Sequence, residues 1–267
     1  MPLRLTPTFR TALAEASAPL AGMWVCSGSP LVAEICAGAG LDWLLIDMEH
    51  SPNGLESVLA QLQAVAAYPV TPVVRVPIGD VVTIKQVLDL GAQNLLVPMV
   101  SSRTDAEAAV AAVRYPPRGT RGVGSALARS ARWNRVDDYL ADSDAHVSLF
   151  VQIETAAGVA AAADIAAVDG VDGVFVGPSD LAASMGLLGQ QTHPDVVAAA
   201  LRVFDAVRAA GKPVGVNAFD PAAADAYLDA GASFILVGAD VALLARGSEA
   251  LAARFIPARP GAARASY

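Results

Sequence analysis

Phe150-Val151-Gln152-Ile153-Glu154 and, further along, Val174-Phe175-Val176-Gly177-Pro178-Ser179-Asp180 are the stretches on which the fold turns. In each, a short apolar run ends in a carboxylate. The runs are nearly continuous rather than alternating, as expected of strands covered on both faces in a parallel sheet. Two acids at the tips of successive strands are hard to justify as packing. They are easy to justify as oxygen ligands of a hard divalent cation.

Similar runs recur at residues 22–26, 43–48, 72–76, 94–99, 148–153, 173–176, 213–217 and 234–237. Amphipathic segments near 31–39, 54–67, 80–90, 104–114, 158–167, 194–210, 221–230 and 241–255 separate or follow them. Asp80 and Asp220 stand where N-caps belong, and Gly91, Gly211 and Gly231 where left-handed C-terminal caps belong. Eight strand–helix units in 267 residues predict an α/β fold, a TIM (β/α)8 barrel spanning 1–267 as a single domain. A doubly wound sheet is the runner-up, but it needs fewer strands, and no Gly-rich dinucleotide fingerprint is present. Residues 115–146 are too long for a plain connection and predict a functional loop or short helices. The tail 257–267 reads as frayed.

Composition narrows the function. With 18 basic and 26 acidic residues the net charge is -8, which argues against nucleic acid or an anionic membrane as partner. No apolar run is long enough to span a bilayer, and Cys26 and Cys36 lack metal-type spacing and read as buried free thiols. A cytoplasmic protein is expected. The arginines at 118, 121, 129, 132 and 135 read as a solvated loop. Only two lysines occur, Lys85 within a helix and Lys212 at the start of a strand, so a Schiff-base mechanism lacks its nucleophile.

Active sites of such barrels gather at the carboxyl ends of the strands. There the chain places Trp24, Asp47, Glu49, His50, Arg75, Gln152, Glu154, Asp180 and Asn217. Glu154 and Asp180 suit Mg²⁺ or Mn²⁺; alternatively Glu154 pairs with an arginine and Asp180 caps the following helix. His50, three residues after Asp47, is either a general base with an orienting acid or a capping histidine. Arg75, inside an apolar run, needs an acidic partner or holds a substrate oxygen. His146 and His193 look like surface or capping residues.

Five ordered motifs, Leu44–Asn53, Leu96–Val100, Arg121–Ala126, Val151–Thr155 and Val174–Leu181, closely resemble the 4-hydroxy-2-oxoheptanedioate aldolase family. These are class II, pyruvate-type aldolases of the phosphoenolpyruvate/pyruvate barrel superfamily, and the resemblance runs from about residue 10 to 256. It implies a divalent cation (Mg²⁺, Mn²⁺ or Co²⁺) on Glu154 and Asp180, with pyruvate or a related 2-oxo acid such as hydroxypyruvate chelating it. It implies His50 as acid/base oriented by Asp47, and Arg75 on the keto oxygen. Gln152 would line the metal site, with Gly177, Pro178, Ser179 and Asp180 receiving the substrate carboxylate. Trp24 and the Val123-Gly124-Ser125 turn would shape the aldehyde side. Asp89 would reach the histidine of a neighbouring subunit. A homo-oligomer, trimer or hexamer, with the C-terminal helix exchanged between subunits, is also implied.

Two departures stand out. Met48 replaces a small residue before the Glu-His pair, and Asn217 and Phe219 stand where an aliphatic pair is usual; both bear on the aldehyde rather than on metal or base. Related lyases of the same barrel remain alternatives, such as 2-dehydro-3-deoxyglucarate aldolase or a citryl- or malyl-thioester lyase. So do a non-catalytic keto-acid binder and an assembly protein whose rim acids merely pair with arginines.

Overall fold

The computed structural model describes residues 3–256, so the expectation for the tail lies outside the described residues. Eight parallel strands close in sequence order: β1 Leu20–Val25, β2 Trp43–Asp47, β3 Thr71–Arg75, β4 Asn94–Val97, β5 Ser148–Ile153, β6 Gly173–Val176, β7 Val214–Asn217 and β8 Phe234–Ala239. The expected strands are all present, with ends shifted by up to two residues. Helices cover the outside: α1 Phe9–Glu15, α2 Pro30–Ala37, α3 Leu55–Ala64, α4 Val81–Asp89, α5 Arg103–Val113, α6 Ala156–Ala160, α7 Ala162–Ala166, α8 Pro178–Ser184, α9 Pro194–Ala209, α10 Pro221–Asp229 and α11 Asp240–Phe255.

Capping follows the sequence. The Asp80 carboxylate accepts the N–H of Val82 and Thr83 at 2.9 and 3.1 Å, and that of Asp220 accepts Ala223 N–H at 2.9 Å. Gly91, Gly211 and Gly231 hold φ of 92°, 72° and 100°, the left-handed turn that ends a helix. The single helix expected over 158–167 is two short ones, broken at Ala161.

Strand residues alternate between two cores. Outward side chains such as Leu44, Ile46, Val74 and Val151 pack beneath the helices. Inward ones form a separate cluster of Trp24, Trp43, Leu45, Val73, Leu96, Phe150, Phe175, Phe234 and Leu236. Large rings need small neighbours: a side chain on Gly22 would meet the Trp43 indole at 2.5 Å. The unexpected helix α1 closes this interior. Its Phe9, 1% exposed, packs on Trp43, Phe150 and Phe234 with ring centroids 5.0, 5.1 and 5.3 Å away. The interior is therefore a packed core; at its amino end Asn94 and Ser148 bond each other, with Asn94 also capping the Phe9 N–H, and at the carboxyl ends of the strands polar groups face a cavity.

Candidate active site

Alternation carries each inward stripe from apolar to polar along the strand. On β2 the order is Trp43, Leu45, Asp47; on β3, Val73 then Arg75; on β5, Phe150, Gln152 and then Glu154 just past the strand. A cavity of about 270 Å³ opens at that end. Trp24, Asp47, His50, Arg75, Gln152, Gly177, Pro178, Ser179, Asp180 and Asn217 line it, together with Cys26, Phe175, Phe219 and Ala239. Most of the residues expected at the site are thus brought to one mouth.

Asp47 and Arg75 are register partners on adjacent strands, so their side chains share a face. Arg75 donates from Nε and Nη2 to the two Asp47 oxygens at 2.7 and 2.9 Å, both residues being buried. Its Nη1 lies 2.8 Å from Glu49 Oε2, and its Cζ sits 4.2 Å from the Trp24 ring centroid. The guanidinium is fixed from three sides. Such a bidentate, ring-stacked geometry is not one a lysine reproduces.

Asp47 spends its remaining acceptor capacity on the chain, taking the N–H of Glu49 at 3.0 Å and of His50 at 3.2 Å. Within the protomer it therefore shapes the turn that carries His50 and does not bond the imidazole. The carboxylate is shared between the cross-strand Arg75 and the His50 backbone N–H. The imidazole is 65% exposed, and its Nε2 stands 4.0 Å from Glu49 Oε2. Burial pushes the Glu49 carboxyl up, opposed by Arg75 and His50.

Glu154 is 1% exposed, and among the described residues no arginine pairs with it. Its Oε1 accepts the Met99 N–H at 2.7 Å, and its Oε2 accepts from the Gln152 amide. Met99 adopts φ 58°, a left-handed backbone uncommon outside glycine, which aims that N–H at the carboxylate. Burial, with repulsion from Glu49 and Asp180, pushes the Glu154 pKa up to about 7. Asp180 is exposed, lies in the first turn of α8 and caps nothing; the N-cap is Gly177. Both structural alternatives for this pair are thus absent.

The donor set fits a hard cation. Glu154 does not line the cavity itself but lies directly behind Gly177 and Gln152, close enough to Asp180 for the two carboxylates to repel each other, and the Gln152 Oε1 beside it is a buried acceptor without a partner among the described residues. Among the described residues no group of three or more His, Cys, Asp or Glu is placed to hold a metal ion. A cation here would keep open positions for substrate and water, as a catalytic site requires.

Other groups are excluded as nucleophiles. Burial, then Asp47 and Asp240, push the Cys26 thiol up to about 12, so it stays protonated at neutral pH. No lysine lines the cavity. The Lys212 ammonium donates to the Val168 carbonyl at 2.7 Å. His193 caps α9, and His146 stacks on Tyr139.

Asp89, Val123, Gly124 and Ser125 do not line this protomer's cavity. Asp89 ends α4, roughly 13 Å along that helix from the mouth. Backbone bonds tie Thr120 and Arg121 to Ala111 and Arg114 at the end of α5, which pins the 115–146 loop away from the mouth. That loop contains two 3-10 turns, Arg129–Ala131 and Ser143–His146. Arg121 is fully buried rather than solvated, stacked on Tyr115 at 4.6 Å and 3.8 Å from Asp89 Oδ1. Asp89 and Gly124 are neighbours in one cluster.

Sequence reasoning placed Glu49 at the mouth without giving it a role, and did not assign the Met99 N–H or Asp240 to the site. Asp240 is buried and accepts the N–H of Cys26 and Ser27 at 2.8 and 3.0 Å. Glu49 was legible as an acid beside His50. Met99 carried no side-chain signal, because only its backbone acts.

Residues 20–247 match the profile of the HpcH/HpaI aldolase/citrate lyase family. The chain is 53% identical over 247 residues to the 4-hydroxy-2-oxo-heptane-1,7-dioate aldolase of Salmonella dublin, covering 92% of this chain and 94% of that protein. Its backbone superposes with a TM-score of 0.89 on a family protein from Burkholderia cenocepacia J2315, at 44% identity, covering 93% and 99% of the two chains. The citrate synthase SbnG is more distant, at 28% identity and a TM-score of 0.82, covering 92% and 96%.

Proposed function

Because the chain belongs to the HpcH/HpaI aldolase/citrate lyase family, we propose that its barrel mouth carries the metal-dependent class II aldol reaction of that family. The chain is a carbon–carbon lyase, an aldolase of 4-hydroxy-2-oxo acids. The products of cleavage are pyruvate, or a related 2-oxo acid such as hydroxypyruvate, and an aldehyde. The observation that carries the site assignment is Glu154, a buried carboxylate without a cationic partner beside a second free acid.

Glu154 and Asp180 hold the divalent ion, Mg²⁺, Mn²⁺ or Co²⁺, with Gln152 Oε1 beside them. When bound, that ion supplies Lewis-acid polarisation of the 2-oxo group. Of the Gly177–Asp180 turn, the Ser179 and Asp180 N–H groups are offered to the substrate carboxylate, since Gly177 donates to Ile153 and Pro178 has no N–H. In cleavage, His50 accepts the C4 hydroxyl proton as the C3–C4 bond breaks. Arg75 then faces the enolate charge from a position already held by Asp47, Glu49 and Trp24, so little reorganisation is needed. Protonation at C3 completes pyruvate. In synthesis the same base removes a proton from the pyruvate methyl.

Asp89, remote from its own mouth, is assigned to the His50 of a neighbouring copy. The exposed Leu243, Leu244, Leu251 and Phe255 of α11 support self-association through that helix, in a trimer-based assembly with α11 exchanged. No helix among the described residues is long and apolar enough to cross a membrane. The two unpaired thiols support a cytoplasmic setting.

Exchange of pyruvate methyl protons with D₂O, followed by NMR, tests the reading without any aldehyde. Chelation should abolish exchange and Mn²⁺ restore it, while His50→Ala should slow it about a hundredfold or more, as loss of a general base does. Metal-independent exchange would overturn the class II assignment. Undiminished exchange in His50→Ala would assign the base elsewhere.

A further inference from the structure

The exposed His50 ring has no hydrogen-bond partner among the described residues of its own protomer. Its place is therefore set by the backbone that carries it, the turn over residues 47–53 that leaves β2. Asp47 holds that turn with two groups. Its carboxylate takes the Glu49 and His50 N–H, and its carbonyl oxygen accepts from Ser51 Oγ and, at 2.6 Å, from Asn53 Nδ2. A backbone carbonyl only accepts, so this last bond fixes the Asn53 amide, nitrogen toward the strand end and oxygen toward α3.

The rest of that amide is fully used. Nδ2 also donates to Ser51 Oγ at 3.0 Å, while Oδ1 accepts from Ser57 Oγ at 2.8 Å and from Gln61 Nε2 at 2.6 Å. Gln61 is fully buried on α3, and its Nε2 also donates to the Ser57 carbonyl at 3.0 Å, which fixes its own amide in turn. All four bonds open to an asparagine side chain are made, so the amide resists displacement. A plain helix cap does not explain it. The N-cap of α3 is Gly54, and the Asn53 side chain accepts no backbone N–H. Its donor arm reaches back six residues instead, tying the root of the His50 turn to the interior of α3. Asn53 itself does not line the cavity.

We propose that Asn53, seated on Gln61, is a positioning residue for the acid/base step, setting where the His50 imidazole stands at the mouth. It touches neither substrate nor metal and acts through the Asp47 carbonyl and the turn. This deepens the aldolase reading above and rests on its assignment of His50.

The test reads exchange of pyruvate methyl protons, with the full chain loaded with Mn²⁺. Asn53→Asp keeps the acceptor for Ser57 and Gln61 and loses the donor to Asp47. A displaced base should cost about tenfold in kcat for exchange. Kd for Mn²⁺ and KM for pyruvate should hold, since Glu154, Asp180 and Arg75 stand on other elements. Gln61→Met fills the same buried space without a donor and should lower kcat in the same direction, which serves if the first variant does not fold. The cycle with His50→Ala decides between positioning and plain stability. A residue that acts only through the imidazole costs nothing further once the imidazole is gone, so adding Asn53→Asp to His50→Ala should leave its residual exchange unchanged. A merely structural role would lower Tm and spare kcat per folded molecule, or lower kcat equally in both backgrounds; either result overturns the proposal. Absence of metal-dependent exchange in the wild type would instead overturn the aldolase reading, and undiminished exchange in His50→Ala its choice of base.

Discussion

At the residue scale, Glu154 shows how a carboxylate set against its own preference becomes a binding device. Its folded pKa of about 7 lies above the ordinary 4.5 of an unburied glutamate. Between those values the folded, metal-free protein keeps a proton that the unfolded chain has lost. Its contribution to stability is therefore greatest below about 4.5 and is lost as pH rises through about 7. A divalent ion favours the charged form and displaces that proton. Scanning calorimetry should find that saturating Mn²⁺ raises Tm more at about pH 7.5 than at about pH 5, since binding adds to the folded state alone. Glu154→Gln should remove most of the Mn²⁺-dependent rise. Equal rises at both pH values would mean that Glu154 is already ionised before metal arrives.

At the scale of the element, the turn from β6 into α8 fits around the same acid. Gly177 has no side chain because one would stand 2.7 Å from Glu154 Oε2 and 2.9 Å from Gln152 Nε2. Gly177→Ala must displace one or both, so the Kd for Mn²⁺, read by titration calorimetry, should rise about tenfold, the usual cost of disturbing groups around a ligand. An unchanged Kd would show that Glu154 shifts freely. The end of β4 plays the matching part from the other side, where the left-handed Met99 supplies its N–H. The strand itself was legible as an apolar run from residue 94. Its end at Val97 was not, because the departure after it answers to Glu154, far away in sequence. Helix α1 was missed for a similar reason. Seven residues around one Phe carry little periodic signal, and Phe9 acquires its role only from the rings it meets inside the barrel.

At the scale of the whole molecule, the barrel buries its own core yet leaves apolar side chains of α11 in solvent. Helix α11 exposes Val241, Leu243, Leu244, Leu251 and Phe255, an apolar face larger than a solitary surface helix normally presents. If that face joins subunits, Leu244→Glu with Leu251→Glu should shift sedimentation to smaller species. It should also lower pyruvate exchange, because Asp89 lies far from its own His50 and would lose the neighbouring copy's. An unchanged sedimentation coefficient would assign the contact to another surface.

The barrel, the order of its strands and the polar mouth were legible in the chain alone. Strand periodicity, caps and terminal acids are properties of neighbouring residues, readable wherever the chain happens to run. Which side chains meet followed from folding in three dimensions. Register across β2 and β3 gave Asp47 to Arg75 rather than to the His50 ring. Closure of β8 onto β1 brought Trp24 round to Asn217, and the backbone of the 115–146 loop carried Arg121 and Gly124 to Asp89 instead of to the cavity. Such pairings join residues far apart in the chain, and their choice depends on distances that exist only once the barrel has closed.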